Sequence, residues 1–143
     1  MPDRSHFESL EHMYASAPIN QFFRPTLHIE EGRAEVRMTV RPDMHHAANA
    51  THGAVYFKML DDAAFFAVQS LVSDVFVLTV SFSVYLLAAV MDGEMVSTGN
   101  VVHQSKRLFV AESVIQVSGE TVARGNGSFM RSAGRLEEKI GYR

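Results

Sequence analysis

The sequence predicts an α+β domain in which one long apolar helix packs against a curved antiparallel sheet. Ala54 to Val72 is apolar almost all round, with only Lys58, Asp61, Asp62, Gln69 and Ser70 strongly polar. Beyond it, Val75 to Met130 divides into four β-rich runs with turns near Asp92-Gly93, Ser105-Lys106 and Ser118-Gly119. Neither a lone helix nor a one-sided sheet covers its own apolar face, so the two must pack together. A chain of 143 residues has the size of one domain. We read 1–143 as a single domain with its core over about 27–132 and an N-terminal helical segment over 1–24.

The elements follow in order. Phe7 to Ala17 has a helical pattern, with Phe7, Leu10, Met13 and Tyr14 on one side and Pro18 ending it. Asn20 to Pro25 reads as a connection. Thr26–Ile29 and Ala34–Val40 read as strands joined by a turn at Glu31-Gly32. In the second, Ala34, Val36, Met38 and Val40 alternate with Glu35, Arg37 and Thr39. Arg41 to Thr51 is a polar loop leading into the long helix. The runs Val75–Leu87, Met95–Gln104, Leu108–Val117 and Thr121–Met130 form the second group of strands, consecutive runs being neighbours. Arg131 to Arg143 reads as a frayed or short helical end.

Composition narrows the function classes. Hydrophobic residues make up 47% and charged residues 20%, ordinary for a soluble globular chain. A net charge of −3 argues against a nucleic-acid partner held by overall positive charge. Without cysteine there is no disulfide, thiolate metal site or cysteine nucleophile, which fits a cytoplasmic location. The start Met1-Pro2-Asp3-Arg4-Ser5-His6-Phe7-Glu8 lacks a signal peptide's apolar region. Lys58, Asp61 and Asp62 within the apolar helix argue against a membrane span. Seven histidines include no H-x3-H or HExxH pair, so no metal site is expected.

Asp61 is the first residue to suspect of chemistry. On a wheel of 100° per residue, Lys58, Asp62 and Gln69 share a wet stripe, with Asp62 the solvated partner of Lys58. Asp61 lies off that stripe, and its helical neighbours include Ala54, Phe57, Ala64, Phe65 and Val68. A carboxylate among apolar groups is either tied to a buried donor or put to use with a perturbed pKa. Gly53 and Ala54 stand where the helix begins, so their N–H groups lack intrahelical partners and suit a polarised carbonyl. Backbone donors plus an acid in an apolar setting are the minimal equipment for hydrolysing an activated acyl group.

His52-Gly53-Ala54, four residues, then Met59-Leu60-Asp61-Asp62-Ala63 resembles the HGG-x4-L-x-D-x-A signature of hot-dog-fold thioesterases of the phenylacetate-pathway (PaaI-like) acyl-CoA type. The resemblance runs from about Ala34 to Arg131. It includes Leu78-Thr79-Val80-Ser81-Phe82 after the helix, the basic hairpin Gln104-Ser105-Lys106-Arg107-Leu108, and Val122-Ala123-Arg124-Gly125 in the last strand. It implies a hot-dog fold and hydrolysis of an acyl-CoA thioester to free acid and coenzyme A. The only cofactor-like group implied is the coenzyme A of the substrate itself. Asp61 matches the catalytic carboxylate, as nucleophile or general base. Gly53 matches the N–H that polarises the thioester carbonyl, and Thr79 a hydroxyl that holds water or the acid.

The resemblance further implies a site across the interface of a dimer, alone or within a tetramer, with Gly53 from one subunit and Asp61 and Thr79 from the other. Where the family has Asn, six residues before the signature histidine, this chain has His46; Asn49 takes a usual glycine position. Either His46 or Asn49 is the orienting residue. His52 and Ala54 are counted among the substrate contacts, His52 as a structural residue of the junction rather than a proton carrier. Lys106 and Arg107 are candidates for the phosphates of coenzyme A. Phe57, Phe65, Phe66, Phe76 and Phe82 read as core, some of them able to line an acyl tunnel. Two other readings share the fold: a non-catalytic acyl-CoA or lipid-binding module, and a hydroxyacyl-thioester dehydratase. The dehydratase needs a His/acid pair near the helix start that this sequence does not clearly supply.

Overall fold

The computed structural model describes residues 4–143. Helix α1 (Arg4–Ser16) and the short helix α2 (Ile19–Phe23) precede strands β1 (Thr26–Glu30) and β2 (Arg33–Thr39). Helix α3 (Gly53–Gln69) follows a polar loop. Strands β3 (Val75–Leu86), β4 (Glu94–Gln104), β5 (Phe109–Val117) and β6 (Glu120–Arg135) complete the fold. The six strands form one antiparallel sheet in the order β1-β2-β4-β5-β6-β3. One long helix against an antiparallel sheet is the hot-dog fold, as the sequence predicts.

Helix α3 lays Val55, Tyr56, Met59, Leu60, Ala63 and Ala67 into the main core, with Val36, Met38, Met95 and Ile115 of the sheet in the same cluster. The contact with β4 is close enough to demand glycine. A Cβ on Gly99 would lie 2.3 Å from the Ala63 carbonyl oxygen, so any side chain there would push the helix off the sheet. Ser113 ties the same helix to β5 by donating to the Leu60 carbonyl at 2.8 Å. Helix α1 adds Phe7, Leu10, Met13 and Tyr14 to this core, the side its periodicity selected.

Four expectations are corrected. The connection over Asn20 to Pro25 is largely taken up by α2, which starts at Ile19 and is capped by Arg24 in the left-handed conformation (φ 54°). Strand β3 does not neighbour β4: the chain crosses after Leu86, leaving β3 at the far edge beside β6, while β4 sits between β2 and β5. Asp92-Gly93 is therefore a bend into β4 rather than a hairpin. Gln69 is fully buried, not on a wet stripe. Its amide donates to Val72 and Val75 carbonyls and accepts from Val77 N–H, each at 2.9 Å, which staples the α3–β3 connection. The C-terminal segment is mostly strand, and only Leu136–Glu138 forms the short helical end, as one 3-10 turn. β6 runs to Arg135, buries Leu136 at the following turn, and the tail folds back so that the Tyr142 hydroxyl lies 2.7 Å from His6 Nδ1.

Strand β3 positions the site. Val77 and Thr79 turn toward the helix, and further along Phe82 and Val84 do so. Inward positions thus switch from odd to even across Val80. A strand keeps one parity unless a residue is inserted, and the ladder shows the insertion: Thr79 and Ser81 pair with the adjacent Phe129 and Ser128. This bulge lets Thr79 and Phe82 both face α3. On its other side β3 has no partner strand among the described residues, and Leu78, Val80, Tyr85 and Leu86 are all at least half exposed.

Candidate active site

Asp61 sits on α3 where the helix passes under β3. The Thr79 hydroxyl donates to Asp61 Oδ1 at 2.9 Å. The surrounding cleft, about 320 Å³, is walled by Tyr14, Ala17, Phe65, Phe66, Phe76 and Leu78, among others. Burial in this setting raises the Asp61 pKa from an ordinary 3.8 to about 6. The Thr79 hydrogen bond opposes the rise, the Asp62 charge adds to it and the Lys58 charge opposes it. A carboxyl that changes state near neutrality is suited to taking and returning a proton.

Asp62 is not the solvated partner the helical wheel suggests. Lys58 Nζ lies 2.8 Å from Asp62 Oδ2, but their side chains are only 11% and 17% exposed because α1 and α2 pack over them. The Tyr14 hydroxyl donates to the same oxygen at 2.6 Å. Burial and the Asp62 charge raise the Tyr14 pKa, so it remains a phenol.

The start of α3 builds a second cleft of about 400 Å³, lined by His46, Thr51, Gly53, Tyr56 and Leu86 through Ala89. His52 caps the helix: its Nδ1 accepts from the Ala54 N–H at 2.9 Å, and its carbonyl accepts from Val55. The two backbone donors foreseen at this end thus reduce to one. Ala54 N–H is taken by His52, whereas Gly53 N–H has no hydrogen-bond partner among the described residues. The Tyr56 hydroxyl donates to the Ala88 carbonyl at 2.9 Å and fixes the opposite wall.

His46 and Asn49 now separate. The Asn49 N–H donates to the His46 carbonyl, and Asn49 adopts φ 64°, a left-handed conformation that asparagine tolerates better than most residues. That accounts for Asn49 at a usual glycine position. His46 lines the cleft with Gly53; its Nδ1 accepts from Ala48 N–H at 3.0 Å, and its Nε2 has no partner among the described residues. Lys106 and Arg107 lie exposed in the β4–β5 hairpin and line neither cleft.

The structure brings Asp61 to Thr79 and His46 to Gly53, but it keeps the two pairs apart. Gly53 and Asp61 are eight residues apart on one helix, which is about 12 Å of axial rise. One carbonyl cannot touch both within a subunit. Of the phenylalanines named as able to line an acyl tunnel, Phe65, Phe66 and Phe76 wall the acid's cleft, but sequence reasoning missed Tyr14 there. Tyr14 did sit on the apolar side of its helix, but nothing local says which element that side meets. Among the described residues no group of three or more His, Asp or Glu could hold a metal ion, and no helix is long and apolar enough to cross a membrane.

Residues 48–123 match the family model of the Thioesterase superfamily. Among solved structures, the PaaI protein of E. coli, from its phenylacetic acid degradation operon, superposes with a TM-score of 0.85 at 23% identity, over 94% of this chain and 99% of that one. A thioesterase family protein from Silicibacter pomeroyi gives a TM-score of 0.78 at 23% identity, over 86% and 95%. A conserved protein from Pseudomonas aeruginosa gives 0.77 at 24% identity, over 81% and 94%. These likenesses concern the fold. Among curated proteins, none matches the chain.

Proposed function

The chain belongs to the Thioesterase superfamily, and from that premise we propose that it hydrolyses an acyl-CoA thioester to a free acid and coenzyme A at a site shared between two subunits. The separation along α3 carries this reading. The donor cleft at Gly53 and the acid cleft at Asp61 are each half a catalytic site, and their spacing forbids joint use within one chain. The open, apolar edge of β3 supports the pairing, since such an edge is a template for a second strand. A partner laid along it would have its own helix start within reach of Asp61.

In this mechanism the thioester oxygen accepts from Gly53 N–H of one subunit, with His46 Nε2 beside it. Fixed donors at the position where negative charge develops lower the barrier without reorganisation. Asp61 of the other subunit supplies an electron pair, either to a proton of water or to the carbonyl carbon itself. In the first route the hydroxide adds to carbon, the C–S bond breaks and the thiolate leaves, regaining its proton from Asp61. In the second, an Asp61 oxygen bonds to the carbonyl carbon, the C–S bond breaks and the thiolate leaves; water then hydrolyses the mixed anhydride to free acid and Asp61, and the proton released goes to the thiolate. Single turnover in 18O water separates the routes: the first puts the label in the product acid at once, whereas attack of water on the Asp61 carbonyl of the anhydride puts it in Asp61 and leaves the first acid unlabelled. Thr79 holds the acid or the water in line.

The acyl group lies along Phe65, Phe76 and Leu78, whose apolar surfaces favour an apolar acyl chain. Lys106 and Arg107, exposed on their hairpin, supply charge for the phosphates of coenzyme A. The test is free-thiol release from a panel of acyl-CoAs, comparing the parent with Asp61→Asn. The expected result is turnover by the parent and its loss in the variant with ligand binding intact. No thiol release from any acyl-CoA would instead leave a binding module.

A further inference from the structure

Lys58 has two acids within ordinary helical reach, Asp61 three residues on and Asp62 four residues on. Among the described residues its ammonium is hydrogen-bonded to Asp62 alone, at 2.8 Å. Three contacts from outside α3 fix that choice. The Tyr14 hydroxyl donates to the same Asp62 oxygen at 2.6 Å, orienting the carboxylate. The ammonium also stands over two aromatic rings, Tyr14 at 5.4 Å and Phe23 at 5.2 Å from their centroids, a cation–π arrangement. Helices α1 and α2 thus build a cage for one charge, and the cage shares a cleft with the acid proposed to be catalytic.

We propose that Asp62, with Tyr14 and Phe23, is a positioning group that holds the Lys58 ammonium away from Asp61 and so leaves Asp61 to Thr79 and the reacting atoms. This rests on the assignment of Asp61 made above. Were the ammonium free, Asp61 would be the nearest remaining acid on that face. An ion pair there would compete with the Thr79 hydroxyl and make the carboxylate a poorer base. The groups that face Asp61 are Lys58 and Asp62 on its own helix, Thr79 on β3 and Tyr14 on α1. Among them Lys58 is the only cation.

The experiment is a charge cycle over the parent, Asp62→Asn, Lys58→Met and the double variant. Asparagine keeps the shape and an acceptor for Tyr14 but removes the charge that holds Lys58. For each protein, the Asp61 carboxyl carbon is titrated by 13C NMR, and the pH profile of thioester hydrolysis is recorded. Asp62→Asn is expected to lower the Asp61 midpoint and the acid limb of hydrolysis by about one pH unit, the size expected for a newly adjacent cation. Lys58→Met moves both the other way, and the double variant returns both close to the parent. If Asp62→Asn does not fold, Lys58→Met still tests the sign.

Loss of the Asp62 charge alone lowers the Asp61 midpoint by the same amount whether or not Lys58 is present. A lowering by Asp62→Asn no greater in the parent than in the Lys58→Met background would therefore overturn the proposal, even with lowered melting temperatures. A double variant no closer to the parent than Asp62→Asn would overturn it too. The NMR midpoint needs no turnover. A parent that hydrolyses nothing therefore counts against the assignment of Asp61, and an unmoved midpoint counts against the cage.

Discussion

The two clefts along α3 are built on opposite principles. At the helix start the useful atom is a backbone N–H, left unpaired because His52 caps its neighbour, in a polar loop with His46 exposed beside it. Two turns further on, the useful atom is a side-chain oxygen, held by one hydroxyl among aromatic rings and pushed toward neutrality by burial. The first cleft costs the fold little, since a helix start always leaves donors without intrahelical partners. The second is destabilising, since a carboxylate loses hydration there. A donor for developing negative charge and a source of electrons have opposite needs, and one helix satisfies both by keeping them about 12 Å apart along its axis.

The contrast is tested most severely at the costly cleft. Asp61→Asn is expected to reduce kcat on the order of 10³-fold, the scale of a lost general base. It is also expected to stabilise the protein. The Asp61 pKa is about 6 in the folded chain against an ordinary 3.8, so between these values the folded state binds the proton more tightly than the unfolded state. Stability is then lost as pH rises from about 4 through about 6, and the loss is complete above that. Removing the charge should recover on the order of 3 kcal/mol at pH 7 and almost nothing at pH 3.5, read by denaturant melts at both pH values. A variant less stable than the parent at pH 7 would break the comparison.

Thr79→Val comes next. It removes the hydrogen bond that favours the charged acid, so the acid limb of kcat/KM should move from near pH 6 to higher pH, and kcat should fall about tenfold. At the inexpensive cleft the effects are smaller. His46→Ala should lower kcat/KM about tenfold, the value of one hydrogen bond to the substrate oxygen. Asn49→Gly should stay within about twofold of the parent, because glycine adopts the left-handed turn freely. The reverse ranking, measured on the same acyl-CoA, would move the orienting role from His46 to Asn49.

Much of this was legible in the chain, and what was not shares one cause. Alternation and turn chemistry gave the strands, and apolar spacing gave α3 and the inner side of α1, because these signals are local. The wheel separated Asp61 from Lys58 and Asp62, and the signature pattern paired Asp61 with Thr79. The hidden features depend on what packs against what. The crossover of β3 to the far edge follows no turn signal, since Asp92-Gly93 bends the chain whichever strand comes next. Gln69 looked wet until the α3–β3 connection folded over it. Asp62 looked solvated because nothing near it in sequence says that Tyr14 and Phe23 will close above it.

The central claim is that Gly53 of one subunit works with Asp61 of another, and subunit complementation tests it directly. Gly53→Pro removes the N–H while suiting a first helical position, and His52, at φ −63° and ψ 143°, already has the backbone that precedes proline. Each of Gly53→Pro and Asp61→Asn alone should be inactive. Co-expressed with different tags and purified as the doubly tagged heterodimer, the pair should regain about half the parental activity, since one of two symmetric sites is then intact. A heterodimer as inactive as either homodimer would contradict the shared site.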